Sequence, residues 1–268
     1  MWLNTSSSQN LQMQLTIHSK FADYKEDSVC VELFDSHVFG QIARIVYKDR
    51  SKHNEEVLIE RFLHAQSEML TYIPYCTRIN IKRVLLFGTL NCQIAHLFAN
   101  LGVEVDVVLP HIEAFHTLSG FLPNFKEIQA NNKISFYPNF SSIKQSGYDI
   151  VLHLGELKAH EVQALHKLSS DDGIVIYRLE NLYIEPNLAL YSLDMVKPLF
   201  NILMPFVISC LDNSFYAFAS KRFHPLADLL LQKSDMLDNV LFYNSNLHTS
   251  AFRMPTMIHN LILPCIKN

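Results

Sequence analysis

At 268 residues the chain is long enough for one large domain, or for one with a small appendage, and its 49% hydrophobic residues can fill a sizeable core. A formal net charge of −4 excludes wholesale nucleic-acid binding, which shows as a basic patch or stripe. Five cysteines (Cys30, Cys76, Cys92, Cys210 and Cys265) stand singly without Cys-x-x-Cys spacing, so neither a disulfide framework nor a zinc site is expected, and no metal ligand is nominated. Met1 to Ser8 show no basic segment leading into an apolar run, so no secretory signal is expected. The most apolar stretch, 198–219, is broken by Asn201, Pro205, Asp212 and Asn213, too often for a bilayer span. The cytoplasm is the expected compartment, with no membrane and no nucleic acid as partner.

From 12 to 48 apolar and polar residues alternate in short runs (15–18, 29–34, 42–47), and Asp35-Ser36-His37 and Gly40 separate the last two. This period-two pattern predicts a small antiparallel sheet. The charged stretch from Lys48 to Glu56 marks a boundary, giving a β-sheet domain at 1–54 and a second domain at 55–268. From Glu55 to Tyr72, Val57, Leu58, Phe62, Ala65, Met69 and Leu70 fall at helical spacing, and Pro74 is expected to end the helix.

Arg83 to Gly88 is a short apolar run ending in glycine. A helical segment (92–101), Gly102 and a second apolar run (103–109) follow, which together make a βαβ unit. Further strands are expected at 134–137, 148–152 and 173–177, with a helix at 159–168 between the last two, and two closing strands at 204–210 and 215–219. The alternation predicts a doubly wound, Rossmann-like α/β domain.

Ligands of such sheets bind outside the carboxyl ends of the strands. That rule selects Gly88 to Asn91, Leu109 to His111 and His153 to Glu156. Asp149 lies at the amino end of its strand, up to ~23 Å from Glu156 in an extended chain, and is a poor catalytic candidate. The first turn holds one glycine, so the Gly-x-Gly-x-x-Gly dinucleotide fingerprint is absent and a nucleoside is the ligand class left open.

Three blocks carry a resemblance further. Ser67-Glu68-Met69-Leu70-Thr71-Tyr72-Ile73-Pro74 resembles a helix motif of the spermidine synthase (polyamine aminopropyltransferase) family. Gly88 falls where that family begins its glycine-rich loop. Tyr243 to Pro255 is similar to the family's C-terminal Tyr-Asn-Ser-Asp-Val/Ile-His motif, and Ser36 to Gly40 matches weakly in the β-domain. The resemblance implies a small N-terminal antiparallel β-sheet domain before a methyltransferase-type domain. It also implies aminopropyl transfer from decarboxylated S-adenosylmethionine, a co-substrate and not a cofactor, to putrescine.

On that reading Gly88, Asn91, His111 and Asn139 meet the nucleoside sulfonium, while Gln66, Glu68 and Tyr243 meet the diamine. Asn246 and His248 fix the loop. The family's catalytic Asp aligns with Leu154 and a second Asp with Leu157; leucine accepts no proton, so Glu156 and His153 are the candidates to replace it. The family also implies a homodimer or homotetramer. Two other readings stand beside this one: a non-catalytic binding or assembly protein, favoured by the missing Asp, and a methyltransferase, weakened by the β-domain and the C-terminal block.

Overall fold

The computed structural model describes residues 1–8, 10–51, 54–211 and 213–268. Among these, strands β1 (Trp2–Ser8) and β2 (Leu11–Thr16) form a hairpin, and β3 (Ser19–Lys25), β4 (Val29–Ser36), β5 (Gly40–Tyr47) and β6 (Glu55–Ile59) form an antiparallel sheet in that order. Helix α1 (Leu63–Thr77) leads into the main sheet of β7 (Arg83–Phe87), β8 (Glu104–Val108), β9 (Ile134–Tyr137), β10 (Tyr148–His153), β11 (Ser169–Leu179), β12 (Ile202–Ser209) and β13 (Asn213–Ser220). Its order is β12-β13-β11-β10-β7-β8-β9, with β11 to β9 parallel and β12 and β13 antiparallel. The main sheet is covered by α2 (Gln93–Asn100), α3 (Ile112–Thr117), α4 (Phe125–Ala130), α5 (Val162–Leu168) and α6 (Pro186–Val196), and the chain closes with α7 (Leu231–Asp235), α8 (Ser245–Ala251) and α9 (Thr256–Ile262). No helix among the described residues is long and apolar enough to cross a membrane.

Alternation explains how the small sheet is held. Val29, Val31 and Leu33 of β4 point into the same core as Val84 and Leu86 of β7, while Phe34, Ile42 and Ile59 face Leu3 and Leu15 of the hairpin. The small sheet is thus sealed on one face to the main domain and on the other to the hairpin. The central strands β7 and β10 are buried on both faces and read as continuous apolar runs, as parallel strands do.

Two expectations need correction. Glu55 to Ile59 does not open a helix; it pairs with β5 as the last strand of the small sheet. Val57, Leu58 and Phe62 imitate helical spacing, and pairing with β5 overrides it. Pro74 also does not end α1, which runs to Thr77. The proline removes one backbone donor, whereas Ile73 and Cys76 beside it are wholly buried, and that packing carries the helix through.

At the amino edge of the sheet, Arg78 Nη2 sits 2.6 Å from Asp149 and 2.8 Å from Asp172. The other Asp149 oxygen accepts the Lys82 and Arg83 N–H groups at 2.7 and 3.1 Å. Asp149 therefore ties β10 to the entry of β7, on the edge away from the expected chemistry. Asp149→Ala is expected to lower the unfolding free energy by about 3 kcal/mol in a urea titration, because it strands two backbone donors and removes one of the two carboxylates on Arg78.

Candidate functional site

The carboxyl ends of β7, β8, β9 and β10 open into a cavity of about 260 Å³, closed on its far side by the end of β5. Its floor is backbone. Gly88 has φ +82°, and a Cβ there would lie 2.9 Å from the Cα of Gly155, so the loops after β7 and β10 touch main chain to main chain. Arg50 closes the mouth, its guanidinium stacked 3.4 Å above the Tyr47 ring.

The link between small sheet and cavity floor is Glu56, a carboxylate that sequence reasoning missed. It is 9% exposed and accepts hydrogen bonds from the Tyr47 hydroxyl at 2.8 Å, the Leu90 N–H at 3.2 Å and the Thr89 hydroxyl. Burial, followed by the nearby Glu56, holds the Tyr47 phenol well above its usual range, so it stays a donor. The same two causes raise the Cys92 thiol and remove it as a nucleophile. The available signal was a pair of glutamates, Glu55-Glu56, heading an apolar run.

Of the expected site residues, Gly88, His111, Asn139, His153 and Glu156 line this cavity together. His111 Nδ1 lies 3.4 Å from the Ser28 hydroxyl and 3.7 Å from Glu26. Asn139 is exposed, and its Oδ1 caps the turn at Phe140–Ser142. Glu156 accepts from the Ser51 N–H at 2.9 Å and from the Ser51 hydroxyl. The buried His153 ring packs edge-on against Phe87, its Nε2 is 3.5 Å from Glu161, and its Nδ1 has no hydrogen-bond partner among the described residues. Burial opposes ionisation of Glu161, but the His153 ring and the Lys158 N–H hold its carboxyl below the usual carboxylate range. Leu154 and Leu109, at the carboxyl ends of β10 and β8, are buried at 5% and 2%.

The other four expected residues do not line this cavity, and their bonding says why. Asn91 is wholly buried and donates to Gln66 at 3.3 Å and Ser67 at 3.1 Å. Gln66 donates to the Tyr216 hydroxyl at 2.7 Å and lines a smaller cavity, about 110 Å³, on the other side of Glu56. Glu68 accepts the backbone N–H groups of Leu241, Phe242 and Tyr243 at 2.9, 2.7 and 2.8 Å, which anchors the C-terminal segment to α1. Tyr243 bonds His248 Nδ1 through its hydroxyl at 2.8 Å, and its ring lies 5.4 Å from that of Tyr72. His248 does fix the loop, by bonding Tyr243 and the Pro225 carbonyl. Asn246 is exposed, and the capping role falls to Asn244, which accepts the Leu247 N–H. Among the described residues no group of three or more His, Cys, Asp or Glu is placed to hold a metal ion.

No family model matches the sequence. The chain is 29% identical over 270 positions to a polyamine aminopropyltransferase of Helicobacter acinonychis strain Sheeba, with both chains covered in full. It is 27% identical, again over both full lengths, to a polyamine aminopropyltransferase of Helicobacter pylori strain G27. Its fold is similar to that of spermidine synthase from Thermotoga maritima (TM-score 0.84, 14% identity, 98% of this chain and 94% of that one). A spermidine synthase in complex with the transition-state analogue AdoDATO is similar too (TM-score 0.83, 13% identity, 98% and 95% covered).

Burial lowers the His248 pKa from 6.5 to about 4, although the Pro225 carbonyl works the other way. The folded state therefore binds this proton less readily than the unfolded chain. The stability that follows is present above pH ~6.5 and is lost as pH falls toward 4, a difference of about 3 kcal/mol. Denaturant titrations across that window are expected to show the loss, and His248→Gln to flatten the slope.

Proposed function

We propose that the chain, 29% identical over its full length to a polyamine aminopropyltransferase, is itself one, and that it moves the aminopropyl group of decarboxylated S-adenosylmethionine to an aliphatic amine. With putrescine as reference acceptor the products are spermidine and methylthioadenosine. The observation that carries this is the pair of cavities meeting at Glu56. The residue itself lines the smaller one, and its hydrogen-bond donors Tyr47, Thr89 and Leu90 lie on the wall of the larger.

The nucleoside sulfonium occupies the larger cavity, over the Gly88 backbone and beside His111 and Asn139. The amine approaches from the smaller one, past Gln66 and Glu56. An amine with pKa near ~10 costs about 4 kcal/mol to deprotonate at pH 7. The uncharged nitrogen then forms the new C–N bond, the C–S bond breaks, and sulfur keeps the electron pair. Glu56 draws the ammonium toward the sulfonium carbon. Glu156, two residues beyond the leucine that replaces the family's Asp, takes the proton, with His153 beside it on the same wall. Glu68 and Tyr243 act at one remove, by holding the C-terminal segment in place. The same reading carries the cytoplasm as compartment and a homodimer or homotetramer as assembly, which sedimentation measures directly.

The buried Leu154 favours a second reading, a member that binds these ligands without turnover. Incubation with decarboxylated S-adenosylmethionine and putrescine separates the two. Methylthioadenosine is expected; no product, with no thermal shift from either ligand, sinks both readings, and a shift without product selects the second. Where product forms, Glu156→Gln is expected to cut turnover by ~100-fold with the melting temperature kept. An unchanged rate removes Glu156 and leaves Glu56 as acceptor.

A further inference from the structure

The smaller cavity holds a charge that no described residue answers. Arg178 of β11 is half-buried on its wall and makes no hydrogen bond or ion pair with any described residue. A guanidinium brings five donors in a rigid fork, and partial burial without a partner disfavours it. Register places it at the reactive edge. His153 of β10 is opposite Tyr177, so Arg178 stands beside Leu154. Across the sheet it is opposite Tyr216, the residue that receives Gln66.

The facing wall is β6, whose carboxylates already have partners. Glu55 is 3.0 Å from Arg44, and Glu56 takes the three hydrogen bonds described above. The cavity therefore presents carboxylate on one side and unanswered guanidinium on the other. A diammonium ligand would set its distal charge against a like one, whereas a molecule cationic at one end and anionic at the other matches both walls.

We propose that the preferred acceptor is a primary amine that also carries a carboxylate, an ω-amino acid or a diamino acid, with its carboxylate on the Arg178 fork and its amine toward Glu56. This rests on the aminopropyl-transfer reading and narrows its acceptor. The bond changes are those of that reading: nitrogen bonds the carbon beside sulfur, methylthioadenosine leaves with the electron pair, a wall carboxylate takes the proton, and the acceptor's carboxylate is unchanged.

The pair γ-aminobutyrate and putrescine tests it, because the two share one chain and differ only in the distal group. Methylthioadenosine release with each acceptor gives kcat/KM, and calorimetry gives the binding of each to protein loaded with methylthioadenosine. The wild type is expected to prefer γ-aminobutyrate by at least ~10-fold in both measurements, the worth of one charge-assisted contact. Arg178→Gln erases the preference, and Arg178→Lys retains part of it, since charge persists without the fork. Equal or better use of putrescine, with a ratio indifferent to Arg178→Gln, overturns the proposal. Absence of product with every amine overturns the transfer reading alone; the calorimetric ratio then still decides the role of Arg178.

Discussion

The carboxylate of Glu56 is the contact on which the site depends. A buried anion is tolerated only when donors surround it, and its donors come from two places: Tyr47 at the end of the small sheet, and Thr89 and Leu90 in the loop after β7. The hydrogen bonds therefore fix one sheet against the edge of the other. Everything lining the larger cavity inherits its position from that junction, including the stacked Arg50 and the Ser51 that holds Glu156.

The same chemistry recurs in other parts of the molecule. Glu68 gathers three consecutive backbone donors of the C-terminal segment, and Asp149 gathers two at the start of β7 together with Arg78. Carboxylates that a sequence reader would assign to a cationic substrate are instead saturated by main-chain N–H groups. An acid so occupied is a structural tie, its oxygens already engaged by donors of the fold. The acids left facing the cavities are few, and Leu154 and Leu109 withdraw two more positions from that role.

Much of this architecture was legible from pattern. The alternation of β4 and β5, the continuous apolar runs of β7 and β10, and the rule that ligands sit at the carboxyl edge led to Gly88, His111, His153 and Glu156, and the resemblance added Asn139; the five share one cavity. What stayed hidden depends on partners distant in sequence. Glu68 reads as a motif acid until its donors, more than 170 residues on, are seen. Glu55 to Ile59 reads as helix because strand pairing with β5 leaves no local mark. Arg178 follows the apolar run of β11, and only the register with β10 and β13 brings it to the edge.

The contact between Gly88 and Gly155 has an evolutionary corollary. A methyl group at Gly88 would run into the main chain of Gly155, and one at Gly155 would press on the Gly88 Cα and the Arg50 guanidinium, each 3.3 Å away. The bottom of the chamber is therefore inherited as a fixed pair, and divergence in what the chamber accepts is channelled into its sides.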